Sequence, residues 1–424
     1  MNGRKSMDTF LRKAISVEKA LDLVLKNIRM MSTEQVPLMQ SIGRTLAVEL
    51  KASQPIPHFR RSGMDGFAVR AADTHGASVN HPVTLSIVDN IPAGKVSDKK
   101  LGPKQCMRIM TGGAVPDGAD AVIKYEMTEE EIGSDAEILC KVKGSVRVGE
   151  NVSPIGEELK QDETVLKAGA TIGAGEMGLL AMFGAVSVCV YKQPRVAIIA
   201  TGAELLRIDE PLQPGRIRNS NAYMLAGAVI EYGGIPFILD HIPDDVDLAK
   251  QMILKAISEY DVIVTTGGVS VGDHDILYDL TQEWDGELKF NKVLMRPGTP
   301  TTFGVWHDKP IFALSGNPSA CYVGSRLFLR PALRAMMGGP LGPEPRISAT
   351  LTEDYKKSDR STRFVRGTLR EQDGKLVATP AQNDRSSATV SIRDANCLIV
   401  LPGSPEGYTA GTQIEVIPMK EIHS

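Results

Sequence analysis

Between Arg195 and Met337 short apolar runs and helical patterns alternate, and this alternation constrains the fold more than any other feature of the chain. The runs Val196 to Ala200, Pro236 to Leu239, Val262 to Thr265, Leu288 to Leu294 and Ile311 to Leu314 read as strands. Helices are expected at about Ala222 to Tyr232, Val246 to Glu259 and from Pro318 onward. Strands separated by helices must be joined by crossovers, which argues for a mostly parallel, doubly wound α/β sheet. Local chemistry marks the ends. Asn221 stands where it can cap the helix that follows, Gly233 where a left-handed residue ends it, and Asn317-Pro318 offers a cap followed by proline at the first helical position.

The rest of the 424 residues exceeds what one core can hold; on the length prior about three domains are expected. An amphipathic helix is expected from about Val17 to Met31, with Ser16 as its cap. The connector Gln54-Pro55-Ile56-Pro57-His58-Phe59 leads into a β-rich module reaching about Val148. A helix-like piece from Gly173 to Met182 and a strand at Val186 to Val190 follow. The Pro/Gly cluster from Gly338 to Pro343 reads as a linker to a small β domain over Arg346 to Pro418.

Composition excludes several function classes. A net charge of −3 exerts no global pull on nucleic acid, so an anion must be bound by local geometry. No apolar run approaches the roughly 20 residues of a membrane-spanning helix, and residues 1–13 carry no secretory pattern, so a cytoplasmic protein is expected. The five cysteines are scattered without a Cys-x-x-Cys pair and read as reduced and structural.

Ligands of open α/β sheets bind beyond the carboxyl ends of the strands. Four exit loops would meet there: Thr201 to Glu204, Thr266 to Asp275, Arg296 to Pro300, and Ser315 to Pro318. The second is the richest. Gly267, Gly268 and Gly272 let the main chain approach an anion, Ser270 adds a hydroxyl donor, and Asp273 and Asp275 supply hard oxygens suited to Mg²⁺. His274 between those acids reads as solvated, and Cys321 as a small buried residue without a base partner.

Met64-Asp65-Gly66-Phe67-Ala68-Val69, Ile109-Met110-Thr111-Gly112, Ala200-Thr201-Gly202-Ala203-Glu204-Leu205, Thr266-Gly267-Gly268-Val269-Ser270-Val271-Gly272-Asp273 and Ser315-Gly316-Asn317-Pro318 occur in this order. In that pattern the chain resembles, over nearly its whole length, the MoeA family of molybdopterin molybdenumtransferases, to which the C-terminal domain of gephyrin also belongs. The Gly-Gly-Val-Ser loop is shared with single-domain relatives that adenylylate molybdopterin; the Met-Asp-Gly-Phe-Ala-Val segment is not.

The resemblance implies a homodimer of four-part subunits: a discontinuous domain of residues 1–53 and 150–188, an inserted β-rich domain of residues 54–149, a molybdopterin-binding α/β domain of residues 189–339 and a C-terminal β-barrel of residues 344–424. The implied reaction inserts molybdate into adenylylated molybdopterin and releases AMP, with Mg²⁺ as the divalent ion. Thr201, Gly202, Gly267, Gly268, Ser270, Gly272 and Asn317 are then expected at molybdopterin or AMP, and Asp273 and Asp275 at the metal. Asp65, Thr111, Glu204, Asp244 and Asp275 match the family's catalytic positions, Asp65 and Thr111 reaching the cleft of the partner subunit. Arg296, Pro300, Arg366 and Ser386, or its neighbour Ser387, are expected at molybdate, because guanidinium groups form directed bonds to tetrahedral oxyanions. Where many relatives carry two lysines, this chain has Arg296 and Thr299. Two other readings stand beside this one: a molybdopterin adenylyltransferase, and a non-catalytic scaffold. Partner proteins implied by the resemblance are the adenylyltransferase and molybdoenzymes.

Overall fold

The computed structural model describes residues 13–134, 137–239, 246–267, 286–357 and 359–420, with the backbone alone for residues 246–250. Asp244, Gly268, Ser270, Gly272, Asp273, His274 and Asp275 lie outside the described residues. The chain forms two compact units, one of Met1–Val48, Ala168–Met177 and Val186–Ser424, the other of Glu49–Lys167 and Gly178–Ala185.

In the larger unit a six-stranded sheet has the order Ile235–Ile238, Arg195–Ala200, Val262–Thr266, Lys309–Leu314, Thr302–Trp306, Glu287–Phe290. The first four strands are mutually parallel, and the last two are added antiparallel, so the sheet is mixed. Strand Thr302–Trp306 is absent from the sequence reading. It is joined to its neighbour through His307 and Asp308, both at positive φ (44° and 63°), a two-residue hairpin turn without the usual Asn-Gly signal. The strand expected over Leu288 to Leu294 is shorter, ending at Phe290.

Alternate side chains send the sheet into two cores. Val196, Ile198, Val262 and Val264 pack with Leu225 and Val229 of helix Ser220–Glu231, whereas Ala197, Ile199 and Ile263 pack with Ile253, Ala256 and Ile257 of helix Val246–Glu259. Burial on both faces explains why these strands read as unbroken apolar runs, each fully buried Val or Ile contributing about 1.5–3 kcal/mol.

Helix Val17–Lys26 joins the first core, with the Ser16 hydroxyl accepting from the Lys19 amide at 3.2 Å. It ends five residues before the expected Met31 because the Asn27 side chain donates to the Leu23 carbonyl (2.7 Å) and closes the last turn. Ile28 and Met31 still pack on the core, which is why the helical pattern overran.

The C-terminal strands close on themselves. Thr362–Gln372 pairs with Lys375–Pro380, which pairs with Ile347–Leu351, then Gln413–Pro418, then Cys397–Leu401, which returns to Thr362–Gln372. The result is a five-stranded barrel, to which the short strand Met295–Arg296 adds in parallel.

In the smaller unit a six-stranded sheet runs Ala121–Lys124, Gly66–Val69, Gln105–Ile109, Val83–Ile91, Ile138–Val142, Thr128–Ile132. Its strand Gly66–Val69 is wholly buried, Phe67 and Val69 facing one core and Ala68 the other. Gly66 is required there: a Cβ would stand 1.9 Å from the Ile123 carbonyl oxygen.

Beyond the linker, Glu344 is 5 % exposed between Arg326 and Arg330 of the helical segment that starts at Pro318. Arg326 also donates to the Pro418 carbonyl at 2.8 Å. The ion cluster thus ties helix, linker and last barrel strand together. Removing Glu344 leaves buried guanidinium charge without its partner, so Glu344→Ala is expected to lower the unfolding free energy by about 3–5 kcal/mol in a urea titration. A loss below about 1 kcal/mol would show that the cluster is not needed.

Candidate functional site

Parallel pairing sets Ala200 opposite Thr266 and Thr266 opposite Leu314, so the chain leaves three adjacent strands at one height. The ladder continues for one more bond on each side, from the Thr201 amide to the Thr266 carbonyl (2.9 Å) and from the Gly267 amide to the Leu314 carbonyl (3.2 Å). Gly267 has φ +89°, and a Cβ on it would lie 2.3 Å from the Thr201 carbonyl oxygen; one on Gly316 would lie 3.3 Å from the Gly267 Cα. Only glycine allows these exit loops to touch. Thr201, Gly202, Gly267 and Asn317 therefore belong to one edge.

Asn221 stitches that edge together. Its Nδ2 donates to the Thr266 hydroxyl (3.0 Å) and to the Gly316 carbonyl (2.8 Å), and Thr266 in turn donates to the Ser315 carbonyl (3.2 Å). The expected capping role falls instead to Asn219, whose side chain accepts from the Ala222 amide at 3.1 Å. The helix starts at Ser220, so Asn221 lies inside its first turn and is free to reach across. Asn317 precedes Pro318 at a helix start as expected, but its side chain makes no capping bond and is exposed.

The edge holds unused hydrogen-bonding capacity. Thr201 Oγ1, Asn221 Oδ1 and Ser319 Oγ are buried without a hydrogen-bond partner among the described residues, a condition that calls for an explanation in a folded protein. Glu204 is exposed and folds its carboxylate back over Gly202, where a Cβ would meet it at 2.4 Å. Cys321 is fully buried, and desolvation pushes its thiol up to about 12, which removes it as a nucleophile.

A cavity of about 220 Å³ opens on the barrel side of this unit, lined by Arg296, Tyr355, Lys357, Arg363, Arg385 and Ser386 among others. Arg296 Nε contacts Asp359 Oδ2 at 2.6 Å, and Arg363 reaches the same oxygen at 3.3 Å. Asp384 receives hydrogen bonds from Tyr355 and Lys357. Burial pushes its pKa up, yet these donors outweigh burial and hold it below the usual carboxylate range. Burial, followed by the bond to Asp384, raises the Tyr355 phenol well above its ordinary value. A hydrogen bond from the Ser319 amide to the Ser386 carbonyl (3.0 Å) joins the strand-exit edge to the loop that lines the cavity.

Of the residues expected at an oxyanion, Arg296 and Ser386 line this cavity, and Pro300 lies in the same loop as Arg296, half-buried. Ser387 lines a separate groove on the barrel. Arg366 is not among the residues that line this cavity. It is 1 % exposed, and its guanidinium donates to the carbonyls of Asn383, Arg385 and Ala388, so it shapes the 383–388 loop from inside. Three positions apart in one strand, Arg366 and Arg363 point to opposite faces, and Arg363 is the one that lines the cavity. Sequence reasoning missed Tyr355, Lys357, Asp359 and Arg363, which share one stretch, and Asp384, which comes from another; the one available signal was the density of charge from Lys356 to Arg366.

In the smaller unit Asp65 Oδ1 accepts from both the amide (2.6 Å) and the hydroxyl (2.7 Å) of Thr111, uniting two expected residues. The backbone bond, followed by the hydroxyl bond, keeps the Asp65 carboxyl below its ordinary value. Among the described residues no group of three or more His, Cys, Asp or Glu side chains is arranged to hold a metal ion. No helix among them is long and apolar enough to cross a membrane.

Residues 15–184 match the family described as "MoeA N-terminal region (domain I and II)", residues 197–335 "Probable molybdopterin binding domain" and residues 348–419 "MoeA C-terminal region (domain IV)". The chain is 43 % identical to a protein of Bacillus subtilis (strain 168) named molybdopterin molybdenumtransferase, covering 97 % of this chain and 95 % of that protein. A protein of the same name from Staphylococcus aureus (strain Mu50 / ATCC 700699) is 39 % identical over 96 % of each. The crystal structure titled as the molybdopterin biosynthesis moeA protein from Pyrococcus horikoshii OT3 superposes with a TM-score of 0.81 at 30 % identity, covering 95 % of this chain and 99 % of that one.

Two outcomes follow from this geometry. Asn221→Ala leaves the Gly316 carbonyl unpaired and is expected to cost about 1–3 kcal/mol in chemical denaturation. Because the folded Asp65 carboxyl sits below its unfolded value near 3.8, its stabilising contribution is complete above that pH and disappears as pH falls through the folded value. Thr111→Val, which removes the hydroxyl bond and keeps the amide bond, should move the Asp65 titration part of the way back toward the ordinary value in a carboxyl NMR titration; an unmoved midpoint would show that the Thr111 hydroxyl does not contribute.

Proposed function

Since this chain belongs to the MoeA family of molybdopterin molybdenumtransferases, we propose that it inserts molybdate into the dithiolene of adenylylated molybdopterin, with cleavage of the adenylate to release AMP. The observation that carries this reading is the Ser319–Ser386 backbone bond, which makes a glycine-lined strand-exit edge continuous with a cationic cavity. An anhydride-linked pterin phosphate and a tetrahedral metal oxyanion are two anions that must meet, and this arrangement offers neighbouring places for both.

At the edge, the exit loops with Thr201, Gly202, Gly267 and Asn317, continued by Gly268, Ser270 and Gly272, bring main-chain amides and hydroxyls to the phosphate and the pterin. Arg296, with Ser386 and Pro300 beside it, orients the oxyanion; Arg366 acts by holding the 383–388 loop in shape. Glu204, Asp244 and Asp275, with Asp65 and Thr111 contributed from the other subunit of the dimer, supply the acidic and hydroxyl groups of the reaction. The carboxylates Asp273 and Asp275 are a hard-oxygen donor set suited to Mg²⁺, which when bound would neutralise charge on the phosphate oxygens. The doubly wound α/β domain of residues 189–339 then forms the body of the site, and the subunit has three further parts: the discontinuous domain, the inserted domain and the barrel. The enzyme works as a cytoplasmic homodimer and receives its substrate from the adenylyltransferase.

The test is incubation with adenylylated molybdopterin and molybdate, reading AMP release. Molybdate-dependent AMP is expected, and Asp275→Ala should reduce it by about 100-fold or more while leaving the unfolding transition in place. ATP consumption without AMP release from the adenylylated substrate would replace this reading by an adenylyltransferase. Turnover unchanged in Asp275→Ala would remove the site assignment.

A further inference from the structure

The short strand Met295–Arg296 lies beside the start of barrel strand Thr362–Gln372 with Arg296 in register with Arg363. Two guanidinium groups therefore flank one point at the mouth of the cavity. That point is occupied by Asp359 Oδ2, at 2.6 Å from Arg296 and 3.3 Å from Arg363. The other carboxylate oxygen accepts from the Ser361 amide (3.0 Å), while the Asp359 backbone is fixed separately through its amide to the Ser404 carbonyl (3.1 Å). Arg363 is itself held in aim. Its NH1 donates to the Tyr355 hydroxyl at 3.4 Å, its guanidinium lies 5.9 Å from the centre of the Tyr355 ring, and Tyr355 is anchored by Asp384. Arg363 Nε is buried without a hydrogen-bond partner among the described residues. Arg363 is thus positioned before any ligand arrives, and a single carboxylate oxygen does not saturate the pair.

We propose that Arg363 is the second guanidinium of the oxyanion cavity, and that Asp359 is a resident counter-ion which a tetrahedral oxyanion replaces between Arg296 and Arg363. This rests on the reading of the cavity as the molybdate site. A dianion brings twice the charge of the carboxylate and several oxygens that match two guanidinium forks, so it displaces Asp359 from them. A monoanion gains no charge in the exchange. Asp359 therefore sets a charge threshold that admits molybdate and rejects nitrate or chloride, at the expense of absolute affinity. Arg363 and Asp359 are positioning and selectivity residues for the oxyanion; neither touches the pterin in this scheme.

The experiment is isothermal titration of the intact protein with sodium molybdate and, separately, sodium nitrate, alongside the KM for molybdate in AMP release. Asp359→Asn should tighten molybdate binding threefold or more and make nitrate binding measurable. Arg363→Met should weaken molybdate tenfold or more, chiefly in KM; Arg363→Lys, which keeps the charge, should recover part of that loss and serves if the methionine variant does not fold. A merely structural Asp359 would make Asp359→Asn bind more weakly, and that result, or unchanged affinities in both variants, overturns the proposal. Wild-type protein that binds molybdate with this pattern but releases no AMP would defeat the proposed reaction and leave the counter-ion exchange standing. AMP release with KM unmoved in the variants would do the reverse.

Discussion

The register of three parallel strands governs the rest of this molecule. Ala200, Thr266 and Leu314 lie level across the sheet, so the backbone turns away from three strands in the same plane and its glycines meet. A shift of one residue in any of these strands would exchange its two buried faces and carry its exit loop out of contact. The apolar cores on both sides of the sheet resist such a shift, because every residue from Val196 to Ala200 is buried. Packing thus fixes the geometry on which the polar edge relies.

The polar groups at that edge act by coordination among loops. Asn221 spans from a helix to two exit loops, and Arg366 reaches three carbonyls of the 383–388 loop from beneath. Both use side chains to supply hydrogen bonds that irregular backbone cannot supply to itself, which is the general requirement for a loop that must keep one shape. In each case the residue lies one layer behind the surface it organises.

Much of this was legible in the sequence, and the limits have physical causes. Continuous apolar runs bounded by helices identified the parallel strands, since strands buried on both faces carry no alternation to be misread. The hairpin through His307 and Asp308 was hidden because its turn lacks glycine and asparagine. Helix Val17–Lys26 was overextended because Ile28 and Met31 pack on the same core after the helix has ended. At the site, glycine-bearing motifs were visible as contiguous letters, and so were Arg296 and Ser386. The Tyr355–Asp384–Lys357 group and the Asp359 bridge were not, because they form only when barrel closure brings distant segments together. Arg366 and Arg363 look alike as letters; strand alternation, visible only once the register is known, sends them to opposite faces, and one of them to the cavity.

The short strand Met295–Arg296 leaves the α/β sheet to pair with the barrel, while Ser319 at a helix start bonds to a barrel loop. Main-chain bonds therefore join the segments before and after the glycine-rich linker at two separate places. Severing that linker by limited proteolysis would nick the polypeptide without freeing two independent pieces. A truncated chain ending there would expose unpaired backbone in the very segment that carries Arg296, so the barrel is an integral part of the larger unit and cannot be treated as a detachable appendage.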